Sequence, residues 1–322
     1  MTIIDMHCDT ISRIYEERKQ GKPVKLRSNH FQLDLEKMRH AGYLVQNFAM
    51  FVDLKGTSFP YQECKKQMQI FQEEMEKNQD IITMVTTYSE ILDNRQQGKM
   101  SALMTIEEGD ACEGSLEKLE EFYQLGMRMM TFTWNYPNRL GFPGEPAATH
   151  LSQGLTSKGI EFLEQMEYLG IIPDVSHLSD AGIRDVCRLA KKPFCASHSN
   201  ARSLCHRGRN LPDELIRGIA KHGGVIGANY YGPFLSQTPN VLGCYYSYVS
   251  DIVLHIRHII NVGGIDCIGL GSDFDGIDNN LELKNCSSME LLAQELRKNG
   301  FHEREIDKIF YQNVLALYQE LL

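Results

Sequence analysis

The chain has 322 residues, 42% hydrophobic and 23% charged, the balance of an ordinary globular protein large enough to bury a sizeable core. A net charge of −9 at pH 7, with no block of Lys and Arg, argues against a nucleic-acid binder. Nine cysteines without a C-x-x-C pair exclude a zinc knuckle and point to reduced thiols in a cytoplasmic protein.

The first predicted strand is "TIIDMHCD", residues 2–9; with no basic region and no long apolar run, it does not read as a signal peptide. Strands two and three are predicted at 43–52, "YLVQNFAMFV", and 101–108, "SALMTIEE". The helix "SLEKLEEFYQLG" puts Leu116, Leu119 and Tyr123 on one face and stops at Gly126. Strand four, 127–134, "MRMMTFTW", runs into a long Gly- and Pro-rich loop at 135–154, which fits a lid, a subunit contact or a plain surface loop. A helix with Ile160, Leu163 and Met166 inward stops at Gly170, where strand five, 170–177, begins. Ser179 caps a helix that carries Ile183, Val186, Cys187 and Ala190 inward to strand six at 192–199. The next helix, with Pro212 near its first turn and Gly223 past its end, leads to strand seven at 223–231. A helix in "SYVSDIVLHIRHIINVGG" precedes strand eight at 267–275, and helices near 287–299 and 302–321 close the chain. No run approaches the roughly 18 apolar residues of a membrane span.

Strand–helix alternation implies parallel pairing through right-handed crossovers. Eight such units predict an α/β fold, a (β/α)8 TIM-like barrel, with residues 1–322 as a single domain. A doubly wound sheet is the alternative. It would normally carry a Gly-rich phosphate loop after strand one, where this chain reads "DTISRIYEERKQG".

Ionisable residues gather at the predicted strand ends: His7 and Asp9, Glu107 and Glu108, His177, His198, Asp273 and Asp275. In a parallel barrel those ends share one rim, where such folds build their sites. Taken singly, a His there is an ordinary hydrogen-bonded residue, Glu107–Glu108 a helix entrance and "SDFDG" a turn. His30, His40, His150, His206, His222, His255, His258 and His302 keep that ordinary reading. Together, imidazoles and carboxylates from five strands are costly to bury unless paired or metal-bound. They suit zinc and related divalent ions, and they exceed the needs of one, so two bridged ions are expected. Side-chain alternation turns Cys8 away from His7 and Asp9 and sets Asp5 on their side, one pleat deeper, as a partner that orients them. This chemistry is metal-assisted hydrolysis; it does not choose the bond.

"IIDMHCD", "TIEEGD", "LGIIPDVSHLS", "PFCASHSNARSLCHRGRNLPDELI" and "IGLGSDFDGI" together resemble the membrane dipeptidase (renal dipeptidase) family of zinc peptidases, in order from residue 3 to about residue 320. Sister metal-dependent hydrolase barrels usually open with His-x-His; His7-Cys8-Asp9 favours the dipeptidase branch. The resemblance implies a distorted barrel of the metal-dependent hydrolase type with two Zn2+ ions. His7 and Asp9 would bind one, His177 and His198 the other, and the Glu closing strand three both. Register from "YQLGM" matches that Glu to Glu107; its rival Glu108 occupies a position that is usually small. Asp273 matches the acid/base carboxylate, with Asp275 supporting the motif from outside. Arg209 matches the residue that grips the substrate's terminal carboxylate, and Arg207 is its rival. Tyr231 either lines the pocket or is a core aromatic. One position departs: Trp134 stands where family members such as the renal enzyme carry a His, and an indole is neither a cation nor a proton shuttle. The implied activity is hydrolysis of small dipeptides, some with a D-residue on the C-terminal side, by a metal-bridging hydroxide in a soluble, bacterial-type homodimer. N-acyl amino acids or lactones are the alternative substrates that Trp134 motivates, and a non-catalytic metal-binding barrel is the third reading.

Overall fold

The computed structural model describes residues 1–145, 151–240, 243–278 and 280–322. Among them, apolar runs form nine parallel strands: β1 (Ile3–Asp5), β2 (Tyr43–Phe51), β3 (Ile82–Met84), β4 (Met100–Glu107), β5 (Met127–Thr131), β6 (Ile172–Asp174), β7 (Cys195–Ala196), β8 (Val225–Ala228) and β9 (Ile268–Leu270). Neighbours run β2-β1-β9-β8-β7-β6-β5-β4, and β2 pairs with β4 to close eight strands into a barrel. All eight predicted strands form, in order, and all but β4 are shorter than predicted, because the chain leaves the ladder early to build the rim. The ninth strand, β3, was not expected. It pairs with Met100–Ala102 on the edge of β4 that β5 takes up from Met104 onward.

Helices occupy the crossovers. Ser179 caps its helix by accepting from the Gly182 amide at 3.1 Å, and Gly170 ends the preceding one in the left-handed region, φ 85°. The closing helix expected over 302–321 is divided: a π-helical turn, Lys308–Gln312, separates Glu303–Asp307 from Asn313–Leu321. The wider turn packs against β1 and β9 with Ile309 and Phe310 buried, so both stretches keep an apolar face on the barrel. Beyond it, Val314, Leu317 and Tyr318 join Ile4, Val45, Leu103, Met129, Ile172, Cys195 and Val225 in one buried cluster. That cluster closes the N-terminal end of the barrel and leaves the C-terminal rim for chemistry. Among the described residues, no helix is long and apolar enough to cross a membrane.

Candidate metal centre and active site

Glu107 is the last residue of β4; His7 and His198 lie two residues past β1 and β7, and His177 and Asp273 three past β6 and β9. The chemistry therefore sits just above the strand ends rather than on them. His177, Asp273 and Asp275 adopt left-handed backbone, φ 68°, 63° and 70°. Each such non-glycine residue costs about 1–3 kcal/mol and persists only where its surroundings hold it. One such hold is the Gly144 amide, which donates to the His177 carbonyl at 2.7 Å.

Glu107 stands between the three histidines. Its Oε2 lies 3.4 Å from His7 Nε2, and its Oε1 lies 2.9 Å from His177 Nε2 and 3.6 Å from His198 Nε2. Asp9 Oδ2 is 3.3 Å from His7 Nε2, and Asp273 Oδ1 is 3.8 Å from it. The ligand atoms of His7, Asp9 and Glu107 fall within 4.8 Å of one another, as do those of Glu107, His177 and His198. Burial opposes charge on His7, yet Glu107 and Asp9 outweigh it and hold its pKa well above the usual value. Burial is likewise outweighed at Glu107, whose carboxyl is held well below its usual range by the histidines. At His177 burial, aided by Arg209, pushes the pKa down to about 4; His198 is pushed down by burial and then by His7.

The hydrogen bonds on the far side of the rings decide what this cluster can hold. Asp174 Oδ2 accepts the Ser197 hydroxyl proton at 2.5 Å, so Ser197 Oγ can only accept from His198 Nδ1, at 2.7 Å. Asn135 Oδ1 accepts from His177 Nδ1 at 3.0 Å. Both Nδ1 atoms then carry the proton and both Nε2 atoms present lone pairs, 3.0 Å apart and facing Glu107. Two lone pairs and a carboxylate oxygen at that range call for a shared cation. Asp9 Oδ1 is buried without a partner as well. The donor set fits zinc-like divalent ions, with carboxylate–Ser–His support of the kind metal sites use.

Asp273 presents Oδ1 to the cluster while Oδ2 accepts from Asn229 Nδ2 at 2.8 Å. Burial, with Asp9 and Glu107 adding to it and His7 opposing, pushes its pKa up to about 7. Gly276 packs so closely that an added Cβ would come within 2.1 Å of Asp9 Oδ2 and 2.6 Å of Asp273 Oδ1. Asp275 points elsewhere, taking Thr10 Oγ1 at 2.6 Å and the Gln32 amide at 2.7 Å. Asp5 does not touch the ring of His7. It accepts from Ser272 N and Oγ at 2.9 and 2.5 Å, and from the His7 amide at 3.3 Å, so it braces backbone rather than orienting imidazole or carboxylate. Cys8 is buried in the core, away from the cluster.

Arg209 is 4% exposed and donates to Ser199 Oγ at 3.2 Å and the His198 carbonyl at 2.9 Å, while its Nε has no partner. Arg207 instead donates to the Pro233 carbonyl and lies over Tyr245. A cavity of about 460 Å³ opens over the cluster, and Trp134, Asn135, Tyr231 and Phe234 line it. Glu108 turns away from Glu107. Its Oε2 accepts the Trp134 amide at 3.0 Å and its Oε1 accepts from Asp110 N at 3.0 Å and Asn138 Nδ2 at 2.5 Å. Burial lifts its pKa to about 7 against those bonds. The described start of the 135–154 loop is docked rather than free: Gly144 packs on Gly208, and Glu145 accepts the Gly208 amide at 2.9 Å. Residues 146–150 of that loop, His150 included, lie outside the described residues. Asn135, Asp174, Ser197 and Asn229 went unpredicted. A Ser directly before the His of "ASHS" was the one visible sign of the support behind His198.

A model of the membrane dipeptidase family, peptidase family M19, matches residues 1–321. A Klebsiella pneumoniae protein, described as uncharacterised and in the pqqA 5′ region, is 34% identical over 240 residues, 70% of this chain and 84% of that one. A Schizosaccharomyces pombe protein described as an uncharacterised dipeptidase is 29% identical over 305 residues, 89% of this chain and 71% of its own. Among solved structures, a Rhodobacter sphaeroides metallo peptidase liganded with a phosphinate mimic of L-Ala-D-Ala aligns at TM-score 0.89 and 22% identity, over 100% of this chain and 99% of that one. The structure of dipeptidase AC, a family M19 metallo peptidase, also aligns at TM-score 0.89, with 24% identity over 100% of this chain and 98% of that one. At that identity the two structures speak for the fold, and the family match speaks for the lineage. The chain belongs to the membrane dipeptidase family, peptidase family M19, and is a metallo-dipeptidase.

Proposed function

We propose that residues 1–322 form one catalytic domain that hydrolyses dipeptides with two zinc ions. His7 and Asp9 would hold one ion, His177 and His198 the other, and Glu107 both. The observation that carries this reading is the split of the Glu107 carboxylate, with Oε2 toward His7 and Oε1 toward His177 and His198. When bound, such a pair supplies an activated water and a Lewis acid for the scissile carbonyl.

The chain's own groups do the rest. Asp273, held by Asn229 through one oxygen, takes the water's proton on the other and delivers it to the departing amine. A pKa near 7 suits both halves of that transfer. Arg209 grips the terminal carboxylate of the substrate, since a guanidinium fork matches a planar anion. Its fixed place beside the cluster demands a carboxylate close to the scissile bond, which favours dipeptides over longer peptides. Trp134 and Tyr231 contact the substrate from the cavity wall. The dipeptide mimic in the R. sphaeroides relative supports this substrate class and a D-residue on its C-terminal side. Buried thiols such as Cys8, Cys64, Cys112 and Cys195 support a reducing, cytoplasmic home.

Metal analysis paired with a substrate panel tests the reading. About two zinc ions per chain are expected, falling toward about one in His177→Ala or His198→Ala, with turnover of L,L- and L,D-dipeptides. Zinc-replete protein that cleaves only N-acyl amino acids or lactones overturns it, and unchanged metal content in both variants shows the ligand assignment wrong.

A further inference from the structure

The groups above hold a dipeptide by its ends and its scissile bond, and they leave its side chains unspecified. Two aromatic walls of the cavity address them. On one, Trp134 meets Phe51 edge-on with ring centroids 4.7 Å apart and Tyr136 at 5.4 Å. On the other, Tyr231 and Phe234 form a T-shaped pair at 5.0 Å. Phe51 ends β2, Trp134 follows β5, and the second pair follows β8, which two strands separate from β2 and two others from β5. The two pairs therefore face each other across the barrel mouth, with Glu107, His177 and Asp273 between them and the charged Arg13, Glu16 and Asp278 also lining the cavity.

The Trp134 wall is built, not incidental. The fully buried Glu108, in left-handed backbone at φ 90°, uses its carboxyl to hold the Trp134 amide and the Asn138 side chain. Asn138 in turn donates to the Phe132 carbonyl at 2.8 Å, and the Lys55 ammonium sits 3.8 Å from the Tyr136 ring centroid. Two methyl side chains would leave a cavity of about 460 Å³ largely wet. A ring or a branched chain between the walls would displace that water and gain edge and face contacts.

We propose that the enzyme selects dipeptides carrying a large apolar or aromatic side chain, and that Trp134 is the residue that determines this specificity. The inference rests on the dipeptidase reading above. Trp134 is the only tryptophan of the chain, so its emission reports on this wall alone.

The test uses the zinc-loaded full chain with L-Phe-L-Ala, L-Ala-L-Phe and L-Ala-L-Ala, by steady-state kinetics and by fluorescence titration. The better Phe peptide should exceed L-Ala-L-Ala in kcat/KM by about tenfold or more, mainly through KM. Trp134→Ala should cut that preference about tenfold, and Trp134→Phe should restore most of it. Emission should shift with a Phe peptide at concentrations where L-Ala-L-Ala leaves it unmoved. Equal kcat/KM for the three peptides, or a preference that survives Trp134→Ala, overturns the inference. If Trp134→Ala does not fold, Trp134→Phe and the wild-type titration decide it. If no dipeptide is turned over, the dipeptidase reading falls, and the titration still judges the pocket: a Phe-specific shift upholds it and no shift overturns it.

Discussion

At the N-terminal end of the barrel, side chains such as Ile4, Leu103, Met129 and Val225 pack on Val314, Leu317 and Tyr318. Each apolar group of that size contributes about 1.5–3 kcal/mol by leaving water. At the C-terminal end the buried side chains include Asp5, His7, Asp9, Glu107, Asp174, His177, His198 and Arg209. Removing those from water costs free energy, and left-handed backbone at His177 and Asp273 costs more. The rim can stay unfavourable because the base is not. Damage should therefore read differently at the two ends: turnover or metal at the rim, folding at the base.

Asp273→Asn is the sharpest form of that contrast, because Asn keeps the shape and loses the carboxyl proposed to carry the proton. Turnover should fall about a thousandfold with the metal content of wild type and little change in melting temperature; a near-normal rate would remove Asp273 from proton transfer. Leu317→Ala should do the reverse, costing about 3 kcal/mol in urea unfolding while kcat of the folded enzyme is kept. A stability loss for Asp273→Asn as large as that of Leu317→Ala would break the division.

His255 tests whether the rim's support has its own weakness. Its Nδ1 accepts the Ala201 amide and its Nε2 donates to the Leu235 carbonyl, both at 3.0 Å. Burial lowers its pKa to about 4. The neutral ring is the folded form, so its contribution is complete above about pH 6.5 and is lost as pH falls through 4, about 3 kcal/mol in all. Unfolding free energies from pH 7 to 4 should fall more steeply in wild type than in His255→Gln; parallel curves would clear this residue. The smallest effect belongs to Ser197→Ala, which strips the acceptor from His198 Nδ1. Metal affinity should weaken about tenfold in a chelator competition with folding intact, and unaltered affinity would mean the Asp174–Ser197–His198 chain does not tune the metal site.

The eight barrel strands were legible because each is a buried apolar run between turns. β3 was not, since three residues on a shared edge leave no periodicity. Rim residues were legible for a different reason: ionisable side chains at the ends of apolar runs are too costly to be there without partners. Their supports are ordinary polar residues whose meaning comes only from folding. Ser197 matters because Asp174, 23 positions away, meets it across β6 and β7. Asp5 was misread for the opposite reason. Alternation put it beside His7 and Asp9, but β1 ends at Asp5 and its carboxylate belongs to Ser272, 267 positions later.

At Gly276 the two carboxylates rest directly on bare main chain, with no room for even a methyl group. The space there is already full, so the smallest change to the chain would push Asp9 and Asp273 aside together. With Asp9 and Asp273 in the roles proposed above, Gly276→Ala should lower turnover while both carboxylates stay in the sequence. The aromatic mouth lies outside that contact, so binding and turnover could be separated in one variant.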